Sequence, residues 1–135
     1  GISQSSIVFP IREMIRNNNK VFVFLDSGNI KTDYALDFLK DDLVIIKGNV
    51  YEDRDKIREL IQNNNIKLVF SAASDLVHAH INELLKENES IYYMTSNNNV
   101  ICCAEGICGS CMKRDKSGEK IKMCKSQINS KIFFS

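Results

Sequence analysis

Residues 66–94, IKLVFSAASDLVHAHINELLKENESIYYM, contain the pattern that decides the fold class. The runs 66–70 and 90–94 are short, rich in β-branched or aromatic residues and bounded by polar ones, which is typical of buried strands. Between them, 74–86 repeats apolar residues at helical spacing, with Ser74 and Asp75 suited to cap the helix. A strand, a helix and a second strand in this order predict two parallel strands joined by a crossover helix.

The same alternation runs through the sequence upstream of this unit. Two further strands are predicted at 20–25 and 43–47, and two further helices at 32–39 and 51–62. The sequence therefore predicts an α/β fold in which helices flank a parallel sheet.

Asparagine triplets predict where two helices end, whereas the first residue of the N-terminal helix is not decided by the sequence. The triplets 17–19 and 63–65 are Asn-Asn-Asn, and Asn tolerates the left-handed conformation that ends helices. An N-terminal helix is predicted within 5–17, but Pro10 lies among its apolar residues. The helix begins either near Ser5, with a distortion at the proline, or near Pro10 after extended residues.

Length and composition limit the class of protein. The chain has 135 residues, of which 44% are hydrophobic and 26% charged, and its formal net charge is +1. These values fit one compact domain with an appendage, divided here into a nucleotide-lobe-like domain at 1–96 and a cysteine-rich segment at 97–135. The balanced charge argues against a nucleic-acid partner, and no apolar run or basic leader indicates a membrane or secretion. A cytoplasmic location is the expectation.

Four cysteines in the C-terminal segment carry the functional signal. Cys103, Cys108, Cys111 and Cys124 read C-x4-C-x2-C-x12-C, and the first three have the spacing of thiolate ligands around a plant-type 2Fe-2S cluster. Gly106 and other small residues between them let the backbone wrap closely and direct N–H groups at sulfur. Cys124 is expected to return through a hairpin turned at 117–118.

Other uses of these cysteines are weaker but remain open. Disulfides are rare in intracellular α/β proteins, and structural zinc usually takes two C-x2-C pairs, whereas this chain has one, between Cys108 and Cys111. A zinc-stabilised interaction module is the second hypothesis. Cys102 falls outside the spacing and is expected to be a buried free thiol.

The cysteine segment resembles the C-terminal cluster-binding segment of the dihydroorotate dehydrogenase electron-transfer subunit, within the ferredoxin-reductase-like family. The family run is Ser-x-Glu-x-x-Met-x-Cys-Gly-x-Gly-x-Cys-x-x-Cys, and five residues match it: Ser96, Cys103, Gly106, Cys108 and Cys111. Asn98, Ile101 and Ala104 depart from it, where the family has Glu, Met and Gly. The upstream β/α alternation is similar to the family's nicotinamide-nucleotide lobe.

The resemblance implies electron transfer. A 2Fe-2S cluster held by the four cysteines would relay electrons between an NAD(P)H and flavin side and a partner dehydrogenase catalytic subunit, such as dihydroorotate dehydrogenase. The family's FAD-binding lobe has no counterpart in this sequence, so FAD would belong to a missing upstream lobe. The chain is thus expected to be a component of an oxidoreductase, and a piece of a longer subunit.

The resemblance also implies where a nicotinamide nucleotide would lie, namely against Gly1, Ser3 and Ser71. The family's Gly-Gly-x-Gly loop is represented only by residues 1–3, and its Cys-Gly-Pro by 71–73, Ser-Ala-Ala. These departures count against retained NAD(P) binding.

Neither the two histidines nor the basic residues near the cysteines are assigned a catalytic or metal-binding role. His78 and His80 lie two residues apart on a predicted helix, face different directions and are expected at the surface or rim. The basic residues near the cysteines serve to dock a partner or, more plainly, to offset cluster charge; they are Lys113, Arg114, Lys116, Lys120, Lys122 and Lys125.

Overall fold

The computed structural model describes residues 2–26, 37–39, 43–96 and 101–134. Its helices and strands, in chain order, are α1 Ser5–Arg16, β1 Val21–Asp26, β2 Leu43–Gly48, α2 Arg54–Asn63, β3 Leu68–Ser71, α3 Asp75–Leu84, β4 Tyr92–Thr95, β5 Met112–Arg114 and β6 Lys120–Lys122. Short 3-10 turns add Ile2–Gln4, Met123–Lys125 and Ser130–Phe133. The chain divides into two compact units, Gly1–Asn64 and Asn65–Ser135.

The first unit pairs two parallel strands and buries a small aliphatic core. β1 and β2 run in parallel register from Val21 opposite Leu43 to Asp26 opposite Gly48. The core cluster consists of Ile11, Val23, Leu25 and Leu39. Alternate residues of β1 reach this cluster because successive side chains of a strand point to opposite faces.

Helix α1 resolves the start that the sequence left open. It begins at Ser5 and continues through Pro10, which lies inside the helix. Proline has no N–H to donate to the carbonyl four residues earlier, so the helix loses one bond of its ladder at this point. The burial of Ile11 on its inner face supports the helix despite that loss.

Two aspartate side chains accept hydrogen bonds from backbone N–H groups of the turn that follows β2. The Oδ2 of Asp26 accepts a hydrogen bond from the Val50 N–H at 3.0 Å, and the Oδ2 of Asp53 accepts one from the Asn49 N–H at 2.9 Å. The contact of Asp26 indicates a structural role for this carboxylate.

The second unit contains the strand–helix–strand pattern and a hairpin. β3 and β4 are parallel, with Leu68 opposite Tyr92 and Ser71 opposite Thr95, and α3 connects them. Tyr93 of β4 and Leu85, which follows α3, are fully buried in this unit. β5 and β6 are antiparallel, with Met112 opposite Lys122, and Gly118 in their connection has φ +89°. The hairpin prediction at 117–118 is confirmed.

The expected helix stops are confirmed at two sites. Asn18 follows α1 with φ +59°, and Asn65 follows α2 with φ +50°. Both values lie in the left-handed region, which Asn enters at lower cost than most residues.

The mixed α/β class is confirmed, and the four predicted strands all form within two residues of their expected bounds. The predicted helix at 32–39 falls mostly outside the described residues. Ser74 occupies the N-cap of α3, where its carbonyl accepts from the His78 N–H at 3.0 Å. Within the described part of the chain, no helix has both the length and the apolar character needed to cross a bilayer.

Candidate metal centre

The cysteine segment lies in the second unit, together with β3, α3 and β4. Cys103, Cys108 and Cys111 lie on the loop before β5, and Cys124 lies in the 3-10 turn directly after β6. The hairpin brings the two ends together, because the Met123 N–H donates to the Cys111 carbonyl at 3.2 Å. An antiparallel pair thus places a cysteine thirteen residues away beside the loop.

Three left-handed residues bend the loop around its cysteines. Ala104, Gly106 and Gly109 have φ +55°, +73° and +73°. Glycine enters this region freely, whereas alanine does so at a cost, so Ala104 is held there by its surroundings. A Cβ on Gly106 would lie 3.2 Å from the Cγ of Lys125, closer than ordinary packing allows.

Backbone N–H groups of this loop converge on the Cys103 sulfur. The N–H groups of Glu105 and Cys108 donate to its Sγ at 3.4 and 3.5 Å. Bonds from Cys108, then from Glu105 and Ile107, lower the pKa of Cys103 because they stabilise the thiolate. The small loop residues therefore do what the sequence predicted: they direct N–H groups at sulfur.

Hydrogen bonds from its neighbours make Cys108 an acidic thiol. The Ser110 hydroxyl lies 3.1 Å from its Sγ, and together with the Ser110 N–H and Cys103 it lowers the pKa of Cys108 to about 6. A thiol with that pKa is mostly thiolate near neutrality, the form that ligates metals.

Cys111 and Cys124 form the other close pair. Cys111 is only 2% exposed. The Cys124 backbone and then its thiol hydrogen-bond to Cys111 and lower the pKa of Cys111, while the same thiol–thiol contact raises the pKa of Cys124. The second sulfur of this pair therefore donates to the first.

The two pairs also lie near each other. Negative charge on Cys108 acts to raise the pKa of Cys111, and charge on Cys103 acts to raise the pKa of Cys124, so the second pair senses the first. Among the described side chains, no three of the His, Cys, Asp and Glu type converge on a point where one ion would be held. The thiol contacts join Cys103 with Cys108 and Cys111 with Cys124.

Two lysines fix the loop that carries the first pair. Lys122 Nζ donates to the Gly106 carbonyl at 2.6 Å, and Lys125 Nζ lies 3.2 Å from a carboxylate oxygen of Glu105. Lys122 is the last residue of β6 and Lys125 lies in the 3-10 turn after it, so the return strand positions the loop through charged side chains as well as through its backbone. Cys102, in contrast to its expected burial, is exposed, so that part of the prediction was wrong.

A buried polar network was missed in the sequence. His78 is fully buried, so its expected surface position was wrong. Ser71 Oγ lies 2.6 Å from its Nδ1 and 2.8 Å from the Tyr93 hydroxyl, which donates to the His78 carbonyl at 3.0 Å. Ser96 Oγ lies 3.3 Å from Nε2. The network joins the carboxyl ends of β3 and β4 to α3.

The helical spacing held a signal for this burial. His78, Asn82 and the C-cap residue Leu85 are spaced by four and three residues, so they continue one face of α3, and all three are buried. Leu76, one of the apolar residues at helical spacing within 74–86, is by contrast 72% exposed.

The nucleotide-site residues have separate positions. Gly1 lies outside the described residues. Ser3 belongs to the first unit, where its carbonyl accepts from the Ser6 hydroxyl at 2.7 Å, and Ser71 belongs to the second unit, in the network with His78. A nicotinamide nucleotide at these residues stays a prediction.

Comparison of the chain with protein-family models, with curated proteins and with solved structures found no match.

Proposed function

We propose that this chain is an electron-transfer domain whose C-terminal segment holds a 2Fe-2S cluster through Cys103, Cys108, Cys111 and Cys124. The observation that carries the proposal is the grouping of these thiols into two adjacent pairs, Cys103 with Cys108 and Cys111 with Cys124. Each pair supplies two sulfur donors, the number that each iron of such a cluster requires.

The bent loop gives further support. The cluster-binding segment that this sequence resembles has Gly at the positions of Ala104 and Gly106, and both residues have positive φ here. A backbone that favours Gly at these two positions agrees with that resemblance. The parallel pairs β1–β2 and β3–β4 are likewise compatible with a nucleotide-lobe scaffold of the ferredoxin-reductase type.

A bound 2Fe-2S cluster would accept and donate one electron at a time. The chain's own contribution is electrostatic: the N–H groups of Glu105, Ile107 and Cys108 stabilise negative charge on the Cys103 sulfur, which raises the reduction potential of a cluster bound there. Lys122 and Lys125 hold the loop in the shape that keeps these N–H groups aimed at sulfur.

The position of the loop suits exchange with another protein. Ile107, between the first two cysteines, is 83% exposed, and Cys108 is exposed as well. A redox group at this loop is therefore close to the surface, where the donor or acceptor of a partner approaches. The resemblance implies two partners, a flavin-binding lobe and a dehydrogenase catalytic subunit. Dihydroorotate dehydrogenase is the catalytic subunit with which binding should be measured first.

Replacing one cysteine of a pair tests the ligand set. Cys108→Ala removes a donor from the first pair, and we expect protein purified without oxygen to lose most of its iron and its visible absorption. Cys102→Ala is the matched control, since it changes the neighbouring free thiol, and it should keep both. Undiminished iron in Cys108→Ala, or equal loss in both variants, contradicts the proposed ligands.

A further inference from the structure

The four thiols of the candidate centre differ in their access to solvent. Cys108 is exposed, Cys103 and Cys124 are half-buried, and Cys111 is 2% exposed. Cys103 and Cys108 are called the outer pair below. In this pair the Cys108 N–H donates to the Cys103 Sγ at 3.5 Å, and the two side chains are hydrogen-bonded to each other. The outer pair thus combines two adjacent sulfurs with a route for a small reagent.

We propose that, in the metal-free chain, Cys103 and Cys108 act as a hydroperoxide-responsive thiol pair that closes into a disulfide before Cys111 and Cys124 do. Exposure controls which thiol a dissolved oxidant reaches, and proximity controls which second thiol resolves the product. Both conditions favour Cys108 as the attacked thiol and Cys103 as the resolving one.

The loop backbone is already shaped for this closure. The residues between the two cysteines include Ala104 and Gly106, both with positive φ, and they turn the chain so that the Cys103 Sγ lies 3.5 Å from the Cys108 backbone nitrogen. The loop backbone thus already brings the two cysteines into contact. The ties from Lys122 to Gly106 and from Lys125 to Glu105 hold the same turn from outside.

The reaction balances in two steps. The Cys108 sulfur attacks a peroxide oxygen and breaks the O–O bond, which yields a sulfenic acid and one water, or one alcohol from an alkyl hydroperoxide. The Cys103 sulfur then attacks the sulfenic sulfur, an S–S bond forms, and the hydroxyl leaves as water. Overall, two thiols lose two electrons and two protons, and one peroxide is reduced.

The consequence for the proposed function is regulatory. If the centre binds a cluster, the disulfide withholds two of its four ligands, so oxidised chain cannot be reloaded until a thiol reductant reopens the bond. The disulfide itself does not depend on the cluster assignment, because it is tested on metal-free protein.

Peptide mapping of the full chain tests the proposal. Reduced, chelator-treated protein receives one equivalent of hydrogen peroxide, and free thiols are then alkylated. Cleavage after glutamate and after lysine separates 90–105, with Cys102 and Cys103, from 106–113, with Cys108 and Cys111. We expect these two peptides to be linked through Cys103 and Cys108. A link from Cys111 to the peptide of Cys124 should form at least roughly tenfold more slowly.

Two variants sharpen the result. Cys102→Ser should leave the linkage unchanged, whereas Cys103→Ser should leave a sulfenic acid on Cys108 that dimedone labels. The proposal is overturned if the parent chain first links Cys111 to Cys124, if Cys102 supplies the partner, or if peroxide yields no disulfide. Iron and sulfide analysis is a separate measurement, so failure of the cluster assignment remains distinguishable from failure of this switch.

Discussion

Glycines in and near the cysteine loop contribute to stability by adopting a left-handed backbone conformation. Gly106 has φ +73°, and an added Cβ would meet the Cγ of Lys125 at 3.2 Å. Gly118 in the hairpin turn has φ +89°, but an added Cβ there would meet nothing within 4 Å. The two glycines therefore separate the cost of the left-handed backbone from the cost of crowding.

We expect Gly106→Ala to destabilise the chain more than Gly118→Ala. Both variants incur the backbone penalty, about 1–2 kcal/mol, and Gly106→Ala must also displace the Lys125 side chain that ties the loop. Urea unfolding of chelator-treated parent and variants measures the difference. Equal losses in the two variants would show that the contact with Lys125 is easily relieved.

His78 makes stability depend on pH. Burial, followed by repulsion from Lys113 of β5, lowers the pKa of His78 below 6.5, although Asp75 of its own helix opposes this effect. The unfolded chain then binds a proton more readily than the folded one. The stabilisation is therefore complete above the unfolded value near 6.5, and it is lost as pH falls through the lower folded pKa.

We expect the free energy of unfolding to fall between pH 7 and pH 5, and His78→Gln to flatten that part of the profile. His80→Gln is the control, because it replaces the other histidine on the same helix. Denaturant unfolding at several pH values provides the measurement. A profile as steep in His78→Gln as in the parent chain would assign the pH dependence to other groups.

The sequence predicted the arrangement of the cysteine loop but not the burial of His78. The spacing of the four cysteines and the small residues among them predicted a loop with N–H groups aimed at sulfur. The burial of His78 was not predicted, because a histidine on a partly apolar helix looks like a surface residue until the positions of Asn82 and Leu85 define the inner face.

At the scale of elements, the β5–β6 hairpin assembles the candidate centre. Its turn is organised by Asp115, whose Oδ1 accepts from the Ser117 N–H at 2.9 Å, the Ser117 hydroxyl at 2.7 Å and the Glu119 N–H at 2.8 Å. The Ser117 hydroxyl is the main reason that the pKa of Asp115 is lowered. One carboxylate thus satisfies three donors at the point where the chain reverses.

We expect Asp115→Ala to loosen the hairpin and to weaken metal retention, since Cys124 follows directly after β6. Amide hydrogen exchange across 112–122 should become faster, and iron retained after anaerobic purification should fall. Asp55→Ala, which removes an exposed carboxylate on α2, is the control. Unchanged exchange in Asp115→Ala would mean that the strand pairing alone sets the hairpin.

The C-terminal turn links this hairpin to the strand–helix–strand unit. The Lys116 N–H donates to the Ile132 carbonyl at 2.9 Å, and Asn129 Oδ1 accepts from the Tyr93 N–H of β4 at 3.3 Å. The sequence predicted the strands and the hairpin from local patterns. It did not predict these links, because each joins residues at least 16 positions apart whose types are individually unremarkable.

At the scale of the whole molecule, charge is unevenly distributed along the chain. Residues 101–134 contain seven basic and three acidic side chains, a net +4 within a chain whose total is +1. A cluster held by four thiolates is anionic, so positive charge near it lowers the cost of gathering those thiolates. The composition of the segment is thus consistent with its proposed cargo.

Iron and acid-labile sulfide analysis of the full chain, purified without oxygen, tests the central claim most directly. The account predicts about two irons and two sulfides per chain, as a 2Fe-2S cluster requires. About one zinc per chain, with neither iron nor sulfide, would contradict it and favour the zinc-stabilised module.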